Sequence, residues 1–304
     1  MSEKEIWTPQ KAAIRLTKIC DTFSEIHGTE RFPVNVGELS LGAAELFQWA
    51  DPIVKIEPVD IKGFDGALIA NEARSRWMLL YNNGLTSPGR IRFTQAHELG
   101  HYILHRLNRD EFRCSSDDML SWEDKNIESE ADLFASYLLM PFNDFRKQLT
   151  PDVDIEVLRQ YAIRYGVSLT AAALKWLECT EENAVFILSR DGYMKWAFSS
   201  PAARRNGAFF RTQRNVVCIP EGSLAANQNV SMERAGMKIP ASIWFPHADK
   251  DASVREMKIQ SEQYEYVITL LILSRKTTVW PPFTGKMSKD FSYKVACMFS
   301  AQNN

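Results

Sequence analysis

Apolar residues change their period several times along this chain, and each change marks an element. Across residues 9–27, Ala12, Ile14, Leu16, Ile19, Cys20 and Phe23 fall at helical spacing and predict an amphipathic helix. Phe32-Pro33-Val34 breaks that pattern, and residues 36–49 resume it as a shorter helix. Val54–Pro58 and Gly66–Ala70 read as short strands flanking the turn Gly63-Phe64-Asp65-Gly66. Arg76–Asn82 is a third strand, either an edge open to an extended peptide or plain sheet core. Ser87-Pro88 then opens a helix whose buried face is Ala96, Leu99, Ile103 and Leu107. A polar stretch, Asn108–Asn126, leads to a second strong helix over 127–141. There Ile127, Ala131, Phe134 and Leu138 repeat at 4-3-4 spacing until Pro141 stops it. Residues 153–178 read as helix, Gly166-Val167-Ser168 turn, helix, and 184–198 as a β-hairpin through Asp191-Gly192. Further on, strand-like segments at 216–219, 241–245, 266–273 and 278–280 alternate with loops. The order predicts an α+β chain, with a first domain over 1–199 and a small α+β domain over 200–304.

Composition narrows the class. A chain of 304 residues, 45% hydrophobic and 24% charged, can bury the cores of two ordinary domains. Its longest apolar run, Tyr266–Leu273, is far too short to span a bilayer, and Met1–Glu5 has no signal-peptide core. Five cysteines with no C-x-x-C pair point to a reducing cytoplasm and away from a disulfide framework. Charge is unevenly shared. Residues 201–304 hold 14 of the 36 Lys+Arg against 8 of the 38 Asp+Glu, leaving 22 and 30 for residues 1–200. An acidic half joined to a basic half suggests modules with different partners.

The chemistry concentrates in His97-Glu98-Leu99-Gly100-His101, an H-E-x-x-H pattern on the helix that begins at Pro88. A four-residue separation sets both imidazoles on one side, roughly 6 Å apart at their bases. Two neutral nitrogens then converge on one tetrahedral zinc, with Glu98 as the base that reaches its water. His105 lies about 12 Å along the axis from His97, too far to share the ion. On the second helix, Glu128 and Asp132 stand one turn apart beside the buried stripe. Glu128 is favoured as third ligand, with Asp132 accepting the second ring N–H of a ligand histidine. Glu130, roughly 200° around the helix, is the rival.

Three features compete with that reading or extend it. Residues 153–178 resemble a helix-turn-helix, yet the second helix offers one Lys and no Arg, Asn or Gln for base edges, which favours a scaffold. Arg204, Arg205, Arg211 and Arg214 lie within an acid-free stretch interleaved with Phe209 and Phe210. That composition suits single-stranded DNA or another anionic activator, and equally a solvated loop with two core phenylalanines. Cys114, thirteen residues beyond His101, is either an ordinary loop cysteine or an inhibitory fourth zinc ligand that closes the site at rest.

Two motifs together carry a family likeness. Phe93-Thr-x-Ala-His97-Glu98-Leu-Gly-His101-Tyr-x-Leu-His105 is followed by Glu128-x-x-Ala131-Asp132-x-Phe134-Ala135-x-x-Leu138-Leu139-Met140-Pro141. Residues 10–198 thereby resemble the ImmA/IrrE metallopeptidases, and Phe32-Pro33-Val34, Gly63–Gly66 and Val167-Ser168 fit as well. The resemblance implies a gluzincin-like domain with one zinc held by His97, His101 and Glu128, and Glu98 as catalytic residue. It also implies a helix-turn-helix transcriptional repressor as substrate, cut in response to DNA damage or phage. A tail after the peptidase resembles the sensor-like domains of GAF or PAS type in such proteins, and CapP-type members of anti-phage CBASS operons share that layout.

Overall fold

The computed structural model describes residues 7–60, 63–114, 122–261 and 265–281, with the side chains of 114, 122–124 and 261 outside the description. The chain divides into Met1–Thr180 and Glu181–Asn304.

In the first unit, α1 (Pro9–His27) starts at Thr8, whose hydroxyl accepts from the Lys11 N–H, and stops at Gly28 with φ +63°. It buries Ala12, Ala13 and Leu16. Helix α2 (Val36–Phe47) is capped by Asn35. Strands β1 (Ile53–Val59), β2 (Gly66–Ala70), β3 (Trp77–Asn82) and β4 (Glu111–Cys114) form a sheet in the order β1-β3-β2-β4. β1 runs parallel to β3, and the other pairs are antiparallel. Arg76–Asn82 therefore supplies an interior strand and no edge, because β1 occupies one side of it and β2 the other. Among the described residues β4 closes the sheet on the side away from β1.

Helices α3 (Pro88–His105) and α4 (Trp122–Leu139) pack with this sheet in one core that includes Leu16, Leu68, Trp77, Leu99, Tyr102 and Phe134. After α4 come α5 (Phe142–Gln148), α6 (Ile155–Tyr165) and α7 (Leu169–Cys179). The α6–α7 turn is committed to packing. A Cβ on Gly89 of α3 would lie 3.1 Å from the Val167 carbonyl carbon, and Arg92 donates to the Gly166 carbonyl. Lys175, the one cation on α7, has a fully buried side chain that pairs with Glu178 at 2.9 Å and stands 3.8 Å from the Tyr137 ring centre. The turn of the helix-turn-helix-like segment is thus packed as scaffold, and the one cation of its second helix, Lys175, is buried and paired.

The second unit is an antiparallel sheet in the order β6-β5-β9-β8-β7. Its strands are β5 (Asn183–Arg190), β6 (Tyr193–Ser199), β7 (Met232–Pro240), β8 (Ser253–Ser261) and β9 (Tyr266–Leu273). The expected boundary at 199/200 moves to Thr180/Glu181, because the hairpin β5–β6 pairs with β9. Val185, Ile187, Val254 and Leu271 share a core with Ala203 of the short helix α8 (Pro201–Arg205), Trp244 and Phe245. Of the expected tail strands only 266–273 forms as read. Residues 241–243 are a 3-10 turn, and 216–219 and 278–280 are irregular apart from a bridge at Cys218. β7 and β8 escaped sequence reading for a physical reason: β7 is mostly exposed, and β8 buries Glu256 and Lys258 where apolar residues are expected.

Candidate metal centre

Helix α3 owes its position to two small residues. Gly89 lets its start meet the α6–α7 turn, and Gly100 lets its centre meet α4. A Cβ at Gly100 would sit 3.2 Å from the Ala131 Cα and 3.0 Å from Phe134 Cδ1. Close approach at Ala131 brings Glu128 and Asp132, three residues before it and one after, against the histidines of α3. Residues 96–103 of α3 are all buried, polar ones included.

Three ligand atoms converge there. His97 Nε2 lies 3.0 Å from His101 Nε2 and 3.0 Å from Glu128 Oε2, and His101 Nε2 lies 3.4 Å from Glu128 Oε1. Asp132 Oδ1 stands 2.8 Å from His97 Nδ1. His101 stacks on Phe112 of β4, with ring centres 4.6 Å apart and planes 15° from parallel. Its Nδ1 is 3.2 Å from His105 Nδ1, and His105 Nε2 is 2.9 Å from Glu130 Oε2. The rival ligand is therefore occupied elsewhere: Glu130 serves His105.

Charges in the cluster pull one another's titrations apart. Burial opposes a charge on His97, but hydrogen bonds to Asp132 and Glu128 and the nearby Glu98 hold its pKa up at about 10. Burial pushes His101 down to about 4 against the pull of Glu128. Glu128 is also desolvated, yet its bonds to His101 and His97 hold it well below the ordinary carboxylate range. Burial lowers His105 too, opposed by Glu130. Two imidazole nitrogens and a carboxylate facing one point form a donor set that can hold a metal ion. Each Nδ1 is engaged on the far side, which leaves each Nε2 for the ion. Among the described residues, His97, His101 and Glu128 fit a zinc ion held by two imidazoles and a carboxylate.

The sequence comparison agrees with this geometry. Residues 51–177 match the family model described as an IrrE N-terminal-like domain, peptidase M78. This stretch is an M78 peptidase-family domain. Among curated proteins none matches the chain. A solved structure described as a Mycobacterium tuberculosis transcriptional regulator is similar at 12% identity, over 86% of this chain and 80% of that one. Its TM-score is 0.46, too slight a likeness to carry an argument.

Within the M78 domain, Glu98 is fully buried against the first residue of β2. A Cβ on Gly66 would fall 2.6 Å from Glu98 Oε1 and 2.5 Å from Thr94 Cγ2, so the space of a missing side chain receives the carboxylate. Sequence reading took Gly66 for a turn residue and missed this role. It also missed Gly100, Phe112 and the pairing of His105 with Glu130. The one available signal was His105 itself, which continues the four-residue series of His97 and His101.

Cys114 ends β4 with its backbone opposite Gly66, but its side chain and residues 115–121 lie outside the described residues. Arg204 and Arg205 are on α8, and Arg211 and Arg214 follow in an exposed loop of the second unit. Phe210 stacks on Phe245 at 5.4 Å, and Phe209 packs edge-on to Trp280 at 5.6 Å. Both phenylalanines are half-buried and make these ring contacts within their own unit. Among the described residues no helix is long and apolar enough to cross a membrane.

Proposed function

We propose that the protein is a zinc endopeptidase that cuts a helix-turn-helix transcriptional repressor. One observation carries the peptidase reading: His97, His101 and Glu128 converge beside the buried Glu98 inside an M78 domain. A bound zinc ion supplies Lewis-acid polarisation of a peptide carbonyl and acidifies a water. Glu98 accepts the proton of the attacking water and returns it to the leaving amine. Asp132 accepts from His97 Nδ1–H and fixes which nitrogen faces the ion. An extended substrate segment adds to the outer edge of β4, next to His101, by main-chain hydrogen bonds.

The repressor as substrate rests on the family resemblance, as does a setting in which its loss releases an operon under stress. In this reading the protein is cytoplasmic, and Glu181–Asn304 is a regulatory unit that governs when the peptidase acts. Two observations oppose a DNA-binding alternative through residues 153–178: the packed turn and the buried Lys175. The test is incubation of purified full-length chain with purified helix-turn-helix repressors. Cleavage by the wild type that is absent with Glu98→Gln and abolished by a zinc chelator supports the reading. Equal cleavage by Glu98→Gln overturns it.

A further inference from the structure

The M78 cluster contains a polar chain that the peptidase reading does not use. It runs from His101 Nδ1 to His105 Nδ1 at 3.2 Å, and from His105 Nε2 to Glu130 Oε2 at 2.9 Å. His101 is fully buried and His105 nearly so, while the Glu130 side chain is 41% exposed. Helical spacing makes the chain possible. His101 and His105 are neighbours one turn apart on α3, and Glu130 on α4 reaches His105 from the adjacent helix.

Hydrogen-bond direction gives the chain its meaning. An ionised carboxylate only accepts, so Glu130 requires a proton on His105 Nε2. Neutral His105 then has a bare Nδ1, which can only accept. His101 must supply the proton from its own Nδ1, which makes its Nε2 the unprotonated, accepting nitrogen. That Nε2 is the atom facing His97 Nε2 at 3.0 Å and Glu128. We propose that His105 and Glu130 are positioning residues, which fix the tautomer and aim of His101 toward the metal. His97 has a carboxylate for the same task, in Asp132. On the Nδ1 side of His101 a second imidazole stands where His97 has a carboxylate, and it carries the instruction outward to Glu130. Neither His105 nor Glu130 touches the ion in this account. The inference rests on the metal-site reading above.

Zinc binding by the full-length chain, followed by competition with a chromophoric chelator, tests it without any substrate. His105→Phe keeps a flat ring beside Phe112 and removes both nitrogens. Glu130→Leu removes the acceptor at a half-exposed helix position that tolerates the change. Each is expected to weaken zinc binding by about 10–100-fold, the usual effect of losing such a partner. Each also shifts the visible absorption of the cobalt-substituted protein, while unfolding temperatures stay near the wild type. Glu130→Gln, whose side-chain oxygen still accepts from His105, restores most of the affinity. A purely structural role predicts the reverse: lower unfolding temperatures, an unchanged cobalt spectrum and no rescue by Gln. If His101→Ala abolishes zinc binding while Glu130→Leu and His105→Phe bind as tightly as wild type, the positioning role is refuted and the metal site stands. If His101→Ala itself binds zinc normally, the metal-site reading has failed, and this inference fails with it.

Discussion

Both units bury charged or ionisable side chains, but they close them in opposite ways. In the second unit, Glu256 Oε1 accepts from the Ala225 N–H at 2.6 Å and Oε2 from Trp244 Nε1 at 2.8 Å, and Lys258 donates to the Asn227 carbonyl at 2.6 Å. Burial raises the Glu256 carboxyl and lowers the Lys258 amine, and the neighbouring backbone answers both. The α3–α4 cluster instead turns two imidazole nitrogens and a carboxylate toward one point, and each histidine is held through its Nδ1. These atoms all become electron-pair donors to a cation once His97 gives up its extra proton. A buried network whose donors and acceptors match holds a fold together. One whose lone pairs converge calls for a cation. Burial alone does not mark a site, and the direction of the lone pairs does.

That contrast can be broken most sharply at the ligands. His101→Ala or Glu128→Ala should reduce zinc from one per chain to a trace and take peptidase activity with it, as measured by metal analysis and a cleavage assay. Glu98→Gln should keep the zinc and lose about 10²–10⁴-fold in cleavage rate, the range expected for loss of a general base. Asp132→Ala, which removes the partner of His97 Nδ1, should weaken zinc by about 10–100-fold in chelator competition. Glu256→Ala should behave differently from all of these. It leaves two buried N–H groups without an acceptor, at about 1–3 kcal/mol each, and lowers the denaturation midpoint of the second unit with zinc content unchanged. Altered zinc in Glu256→Ala would erase the distinction between the two kinds of buried charge.

What the sequence revealed follows the same division. α1 and α3 were readable because their apolar residues hold one period over many turns, and the H-E-x-x-H spacing sets two ligands before any fold is known. Glu128 and Asp132 were readable because they flank the Ile127–Leu138 stripe. Gly66 and Gly100 were not, since a glycine signals a close approach only once its neighbour is known. Arg76–Asn82 looked equally like edge or interior, because its parallel partner β1 lies far earlier in the chain. The hairpin β5–β6 showed its own turn but not the sheet it joins. β8 hid because charged residues hold its inward positions, and the expected base-stacking pair Phe209 and Phe210 belongs to the packing of its own unit.

The central claim is that His97, His101 and Glu128 hold one zinc ion and that Glu98 acts beside it without binding it. Zinc content of the purified full-length wild type, Glu128→Ala and Glu98→Gln, measured side by side on folded protein, tests this most directly. The account predicts one zinc per chain in the wild type and in Glu98→Gln, and none in Glu128→Ala. Full zinc in Glu128→Ala, or its loss in Glu98→Gln, would contradict it.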